Sequence, residues 1–86
     1  MEKLPQRLVN VRVPDKRTVL EAPPLLEAVE RESAALEGRG RVLVRPSGTE
    51  ELVRVMVEAP GEEEADEVCG RLVEAVQAIA GRPAIG

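Results

Sequence analysis

Residues 41–58 read RVLVRPSGTEELVRVMVE, and the alternation in them decides the fold. Val42 and Val44 fall on one side of the first run, and Val53, Val55 and Val57 on one side of the second. A two-residue period is that of a half-buried strand. The stretch therefore predicts two strands, Arg41 to Arg45 and Leu52 to Glu58, joined by the small polar turn Ser47-Gly48-Thr49-Glu50. Ser47 and Glu50 also have the S-x-x-E spacing of a helix capping box. The β-branched run that follows has no helical period, which argues against that reading. A plain hairpin turn with Gly48 in a left-handed conformation is the simplest alternative. It leaves unexplained why Arg45 precedes the turn and Arg54 follows it, both on the side away from the valines.

Working outward, "LVNVRV" at 8–13 repeats the alternation, with Val9, Val11 and Val13 opposite Leu8, Asn10 and Arg12. The segment "PDKRTVLEAPP" has proline near both ends and reads as an extended connection. From Pro24 to Leu36, Leu25, Leu26, Val29 and Leu36, with Ala28 and Ala35, face away from Glu27, Glu30, Arg31 and Glu32, the pattern of an amphipathic helix. The glycines of "GRG" at 38–40 end it. After Pro60 and Gly61, acids at 62–64, 66 and 67 suit the positive end of a helix. Ala65, Val68, Cys69, Leu72, Val76 and Ile79 then give that helix an apolar stripe. "GRPAIG" at 81–86 reads as a flexible tail. The order is strand, helix, strand, strand, helix. The expected fold is a single α+β domain over 1–86, a small mostly antiparallel sheet with two helices packed on its valine face. The other face is expected to be open, polar and rich in arginine, carrying Asn10, Arg12, Arg41, Arg45, Arg54 and Glu58.

Composition narrows the functions available. The chain has 86 residues, 16 acids against 12 bases, a formal charge of −4, and no Phe, Tyr or Trp. It is too short for more than one domain. An acidic chain without aromatic stacking surfaces is a poor partner for nucleic acid. No apolar run approaches the ~20 residues of a membrane span, and the charged N-terminus lacks the apolar core of a signal peptide. The single cysteine suits a reducing compartment, so no membrane association and a cytoplasmic location are expected. Cys69 has no histidine to activate it and lies on the apolar stripe, where it reads as a core thiol. The acids at 62–67 lack the glycine loop that would gather them around a cation, so no metal site is expected here.

The turn itself reads as an oxyanion site. Backbone N–H groups near a glycine, together with serine and threonine hydroxyls, donate to anionic oxygens. Arginine adds a planar fork that matches two of them. No lysine stands in the turn and no helix follows it directly, so it is not a nucleotide P-loop.

The string GRVLVRPSGTEELVRVMVEA resembles the C-terminal segment of the α-D-phosphohexomutases, most closely the bacterial phosphoglucosamine mutase branch. The likeness extends upstream to LPQRLVNVRVPDK and downstream through the final helix. It implies a TATA-box-binding-protein-like fourth domain, one of four in those enzymes, whose loop clamps the phosphate of a sugar phosphate. Carried over, Arg45, Ser47, Gly48 and Thr49 are the phosphate ligands and Arg54 a second arginine. Glu51 departs from the proline usual in that family, which is expected to loosen the loop or weaken anion binding slightly. The phosphorylated serine, the Mg²⁺-binding aspartate loop and the sugar-recognition loop of those enzymes lie in their other three domains. Here the only serines are Ser33 and Ser47, and no D-x-D-x-D string occurs. The resemblance therefore implies a fourth domain excised from, or encoded apart from, its partners. Such a chain binds no cofactor and is inactive alone, while the parent enzyme uses Mg²⁺. A phosphomannomutase or phosphoglucomutase domain, or a free-standing anion-binding module, are the alternatives.

Overall fold

The computed structural model describes residues 4–80. Its elements run β1 (Gln6–Arg12), α1 (Lys16–Glu21), α2 (Pro23–Leu36), β2 (Arg41–Pro46), β3 (Leu52–Glu58) and α3 (Glu62–Ala80). The tail reading of 81–86 falls outside the described residues. β3 lies between β1 and β2 and is antiparallel to both. β2 and β3 form the hairpin that the alternation predicts, while β1 reaches the far edge of the sheet after two intervening helices are accounted for. No helix of the described residues is long and apolar enough to cross a membrane.

The register explains why one face is buried. Val55 stands opposite Val9 on one side and Val44 on the other, and Val53 opposite Val11. Val57 pairs with Val42. Residues directly opposite share a face, so the valines of all three strands form one apolar surface. Val53, Val55 and Val57 are fully buried there, beneath Val19, Leu25, Leu36, Ala65, Leu72 and Val76 of the helices. Val44 packs against the edge of this cluster, and Val9, on the outer strand β1, remains more than a third exposed. Cys69 is a buried core thiol, and burial raises its pKa.

Four details differ from the expected pattern. The first is that the "extended connection" contains helix α1. Asp15 caps it, accepting hydrogen bonds from the N–H groups of Arg17 (3.1 Å) and Thr18 (3.4 Å) and from the Thr18 hydroxyl (2.9 Å). Those bonds, the Thr18 hydroxyl above all, hold the Asp15 carboxyl below its ordinary pKa. Six residues are too few to show a hydrophobic period, so only the cap signals this helix. The sheet is consequently covered by three helices, not two.

The second and third differences lie on α2. Leu26 is 54% exposed, whereas Glu32 is buried. Glu32 faces α3, where Arg71 donates to both its carboxylate oxygens at 2.8 and 3.0 Å. A buried carboxylate is tolerated because its charge is matched by a bidentate partner. That partner comes from 39 residues away and is invisible to local periodicity. The fourth is the open face of the sheet. It carries the expected arginines, but Leu8, Leu43 and Met56 form an apolar patch among them, because Met56 is register-paired with both leucines.

Glycine is required at two places beyond α2. Gly38 has φ of +81°, in the left-handed region that side chains avoid. At Gly40 a Cβ would run into the backbone carbonyl of Glu58, where the chain crosses the end of β3.

Candidate functional site

The β2–β3 loop stands at one end of the sheet, beside the connection from β1 to α1. Its own hydrogen bonds are few. The Ser47 N–H donates to the Leu52 carbonyl (3.0 Å), the Glu50 N–H to the Ser47 hydroxyl (3.4 Å), and the Leu52 N–H to the Glu50 carbonyl (2.9 Å). Ser47 thus caps a turn in the manner of S-x-x-E, although a strand follows, not a helix. Gly48 is not left-handed; Gly38 is the only described residue with positive φ. The hairpin alternative with a left-handed Gly48 is corrected accordingly, and nothing lies within 4 Å of where a Gly48 side chain would start. Among the described residues, the N–H groups of Gly48, Thr49 and Glu51 find no hydrogen-bond acceptor.

Arg45 and Arg54 occupy directly opposed positions on β2 and β3, on the open face. Side chains so placed leave the sheet roughly 5 Å apart. Both residues are exposed. Arg54 Nε donates weakly to the Asn10 side-chain oxygen at 3.4 Å, and no carboxylate of the described residues pairs with either arginine. Four residues along the same strands, beyond the Leu43–Met56 pair, the chemistry differs, for Arg41 is neutralised by Glu58 at 3.3 Å. Leu8, Leu43 and Met56 line a shallow depression together with Arg45 and Arg54. Two like charges facing each other, with apolar walls and no counterion, suit an anion supplied from outside.

The sequence-predicted residues therefore fall into two adjoining sets: Ser47, Gly48 and Thr49 in the loop, and Arg45 and Arg54 side by side on the strands leading to it. The sequence reading did not single out Lys16. Its ammonium reaches from the start of α1 and donates to the carbonyls of Ser47 (2.7 Å) and Glu50 (3.0 Å). Glu51 points toward α1 as well, where its carboxylate accepts the Lys16 backbone N–H at 3.1 Å. A carboxylate suits the positive first turn of a helix, and through this bond Glu51 links the loop to α1. The described residues hold no group of three or more His, Cys, Asp or Glu side chains arranged for a metal ion.

The sequence profile of the phosphoglucomutase/phosphomannomutase C-terminal domain matches residues 8–75. The chain belongs to that family. Its relatives include the phosphoglucosamine mutases of Pelotomaculum thermopropionicum, 57% identical over 79 residues, and of Saccharopolyspora erythraea, 60% identical over 79 residues. Both alignments cover 92% of this chain but 18% of the relative. This phosphohexomutase C-terminal domain also superimposes on a solved structure, Aspergillus fumigatus N-acetylphosphoglucosamine mutase in complex with GlcNAc-6P and magnesium. The TM-score is 0.78 at 31% identity, covering 91% of this chain and 16% of the other. An N-acetylglucosamine-phosphate mutase of the α-D-phosphohexomutase superfamily, in its substrate complex, gives 0.73 at 32% identity, covering 85% and 15%. The α+β fold with its antiparallel sheet is thus that of the mutase domains.

Proposed function

We propose that this chain is the substrate-phosphate-binding domain of a phosphoglucosamine mutase. In that enzyme glucosamine 6-phosphate and glucosamine 1-phosphate interconvert through a phosphoserine carried by another domain. The observation that carries the reading is the unneutralised pair Arg45 and Arg54, beside a loop whose Gly48 and Thr49 N–H groups lack acceptors. Family membership and the phosphoglucosamine mutases among its relatives support the substrate class.

The chemistry asked of these residues is binding and orientation. The phosphate that is not reacting accepts charge-assisted hydrogen bonds from the Arg45 and Arg54 guanidiniums. It accepts neutral bonds from the Ser47 and Thr49 hydroxyls and the free loop amides. Fixing this phosphate fixes the distance from the sugar's other end to the phosphoryl donor, which lowers the entropic part of the barrier. Because the sugar turns round between half-reactions, the site must accept phosphate from either end of it. A site that reads only phosphate oxygens meets that demand. Mg²⁺, which would assist phosphoryl transfer, fits no cluster of the described residues and is assigned to the rest of the enzyme. The other three domains are the partners this reading implies.

The test is titration of the 86-residue chain with inorganic phosphate at fixed ionic strength, followed by amide NMR. Each charge-assisted bond contributes about 1.5–3 kcal/mol, against ~4 kcal/mol or more lost on association, so millimolar affinity is expected. Shifts should be largest at Ser47, Gly48 and Thr49, should vanish in Arg45→Ala and should shrink in Arg54→Ala. Added salt should weaken binding by screening. Largest shifts at the acidic start of α3, or unchanged binding by Arg45→Ala, would refute the proposal.

A further inference from the structure

We infer that Lys16 is a positioning residue for the 47–51 loop, holding its free amides in place for phosphate; this rests on the phosphate reading of that loop. The ammonium spans the loop, donating to the carbonyl at its start, Ser47, and to the carbonyl of Glu50 near its end. A peptide unit is rigid, so fixing the Ser47 carbonyl fixes the N–H of Gly48 that shares its plane. Fixing the Glu50 carbonyl does the same for the Glu51 N–H. With both carbonyls turned toward Lys16, the N–H groups at these two peptide units point the opposite way, since C=O and N–H are antiparallel across a trans peptide. Lys16 thereby sets the direction of two of the amide donors that lack acceptors.

The anchor for this ammonium is firm. The backbone N–H of Lys16 donates to Glu51, the Val13 N–H donates to the Glu51 carbonyl at 3.1 Å, and Arg12 lies 3.9 Å from Glu50. Lys16 is also the first residue of a helix capped by Asp15, which fixes where its side chain begins. The loop and the β1–α1 connection are therefore one braced unit, although 31 residues separate Lys16 from Ser47. A flexible loop would have to lose its freedom on binding; a braced one has already lost it.

The test compares phosphate titrations of the parent chain with those of Lys16→Met, Lys16→Arg and Arg17→Met. Arg17→Met removes the same charge one residue along. Lys16→Met should raise the apparent Kd at least fivefold, Lys16→Arg should return it to within twofold of the parent, and Arg17→Met should stay within twofold. Without phosphate, the Ser47 amide, bonded to Leu52, should exchange with solvent faster in Lys16→Met. Lys16→Gln, neutral but keeping an amide NH₂ as donor, provides a milder second variant and should fall between. Parent-like binding or parent-like exchange in Lys16→Met overturns the inference and leaves the phosphate reading intact. Equal weakening by Arg17→Met also overturns it, since net charge would then suffice. Absence of any phosphate-dependent shift at 47–49 in the parent removes the phosphate reading, and this inference with it.

Discussion

Two charged sites, one between the helices and one on the open face, handle charge in opposite ways. On the helix side, the buried Glu32 of α2 is bonded to Arg71 of α3. On the open side, Arg45 and Arg54 face one another across β2 and β3 with no acid between them. A charge that serves packing carries its partner inside the fold, because an unmatched one is costly where water is excluded. A charge that serves an anion must keep its place empty, and it can do so only where water screens the repulsion. The same residue type is therefore neutralised within the fold at Arg71 and left without a carboxylate partner at Arg45 and Arg54.

The largest effect is expected where the helix side is given a charge with no partner. Val55→Asp should cost about 3–5 kcal/mol, enough to unfold most of a chain this small, as read from the loss of helical circular dichroism at 25 °C. An undiminished melting temperature would show the sheet to be inside out. Next in size is Arg71→Met, which leaves the Glu32 carboxylate, whose side chain is 8% exposed, without its fork. Because Arg71 itself is more than half exposed, the expected loss in urea denaturation is about 1–2 kcal/mol, below that of a fully buried pair. Replacing both, Glu32→Leu with Arg71→Met, should recover most of it.

The same pair has a pH signature. The bidentate bond from Arg71 lowers the Glu32 pKa beneath its ordinary 4.5, against the opposing effect of burial. A carboxyl with a lowered folded-state pKa contributes stability above about pH 4.5 and loses it as pH falls through the folded value. Stability measured from pH 6 downward should therefore drop more steeply in the parent than in Glu32→Gln.

On the open side the expected effects are smaller, and one changes sign. Arg54→Glu puts an acid opposite Arg45 and should stabilise the free protein by about 0.5 kcal/mol while eliminating phosphate-dependent shifts at 47–49. A destabilised Arg54→Glu would mean that the two arginines do not repel as placed. Smallest of all is Gly48→Ala. With open space at that position and no left-handed φ, its unfolding free energy should lie within about 0.5 kcal/mol of the parent.

What could be read in the sequence depended on how far each signal reached along the chain. The alternating valines are local, and they placed Val11, Val53, Val55 and Val57 inside and Arg12, Arg45 and Arg54 outside, as the register has them. The apolar stripe of α3 was legible for the same reason, as were the glycines after α2. Arg45, Ser47, Gly48, Thr49 and Arg54 could be gathered because a hairpin brings near neighbours together. Helix α1 leaves little local signal, because its cap is a single side chain and its six residues span less than two turns. The burial of Glu32 is not legible locally, because its partner Arg71 lies on another helix.

The strand faces, the hairpin and the residue types of the loop follow from periods of two and from pairings across one short turn. That β1 lies against β3 and not β2, that Leu8 meets Leu43 and Met56 among the arginines, and that Lys16 reaches the loop are set by the folded chain as a whole. Each of these joins segments more than 30 positions apart. Such pairings are selected by the burial of the whole valine face at once, a quantity belonging to no single stretch of chain.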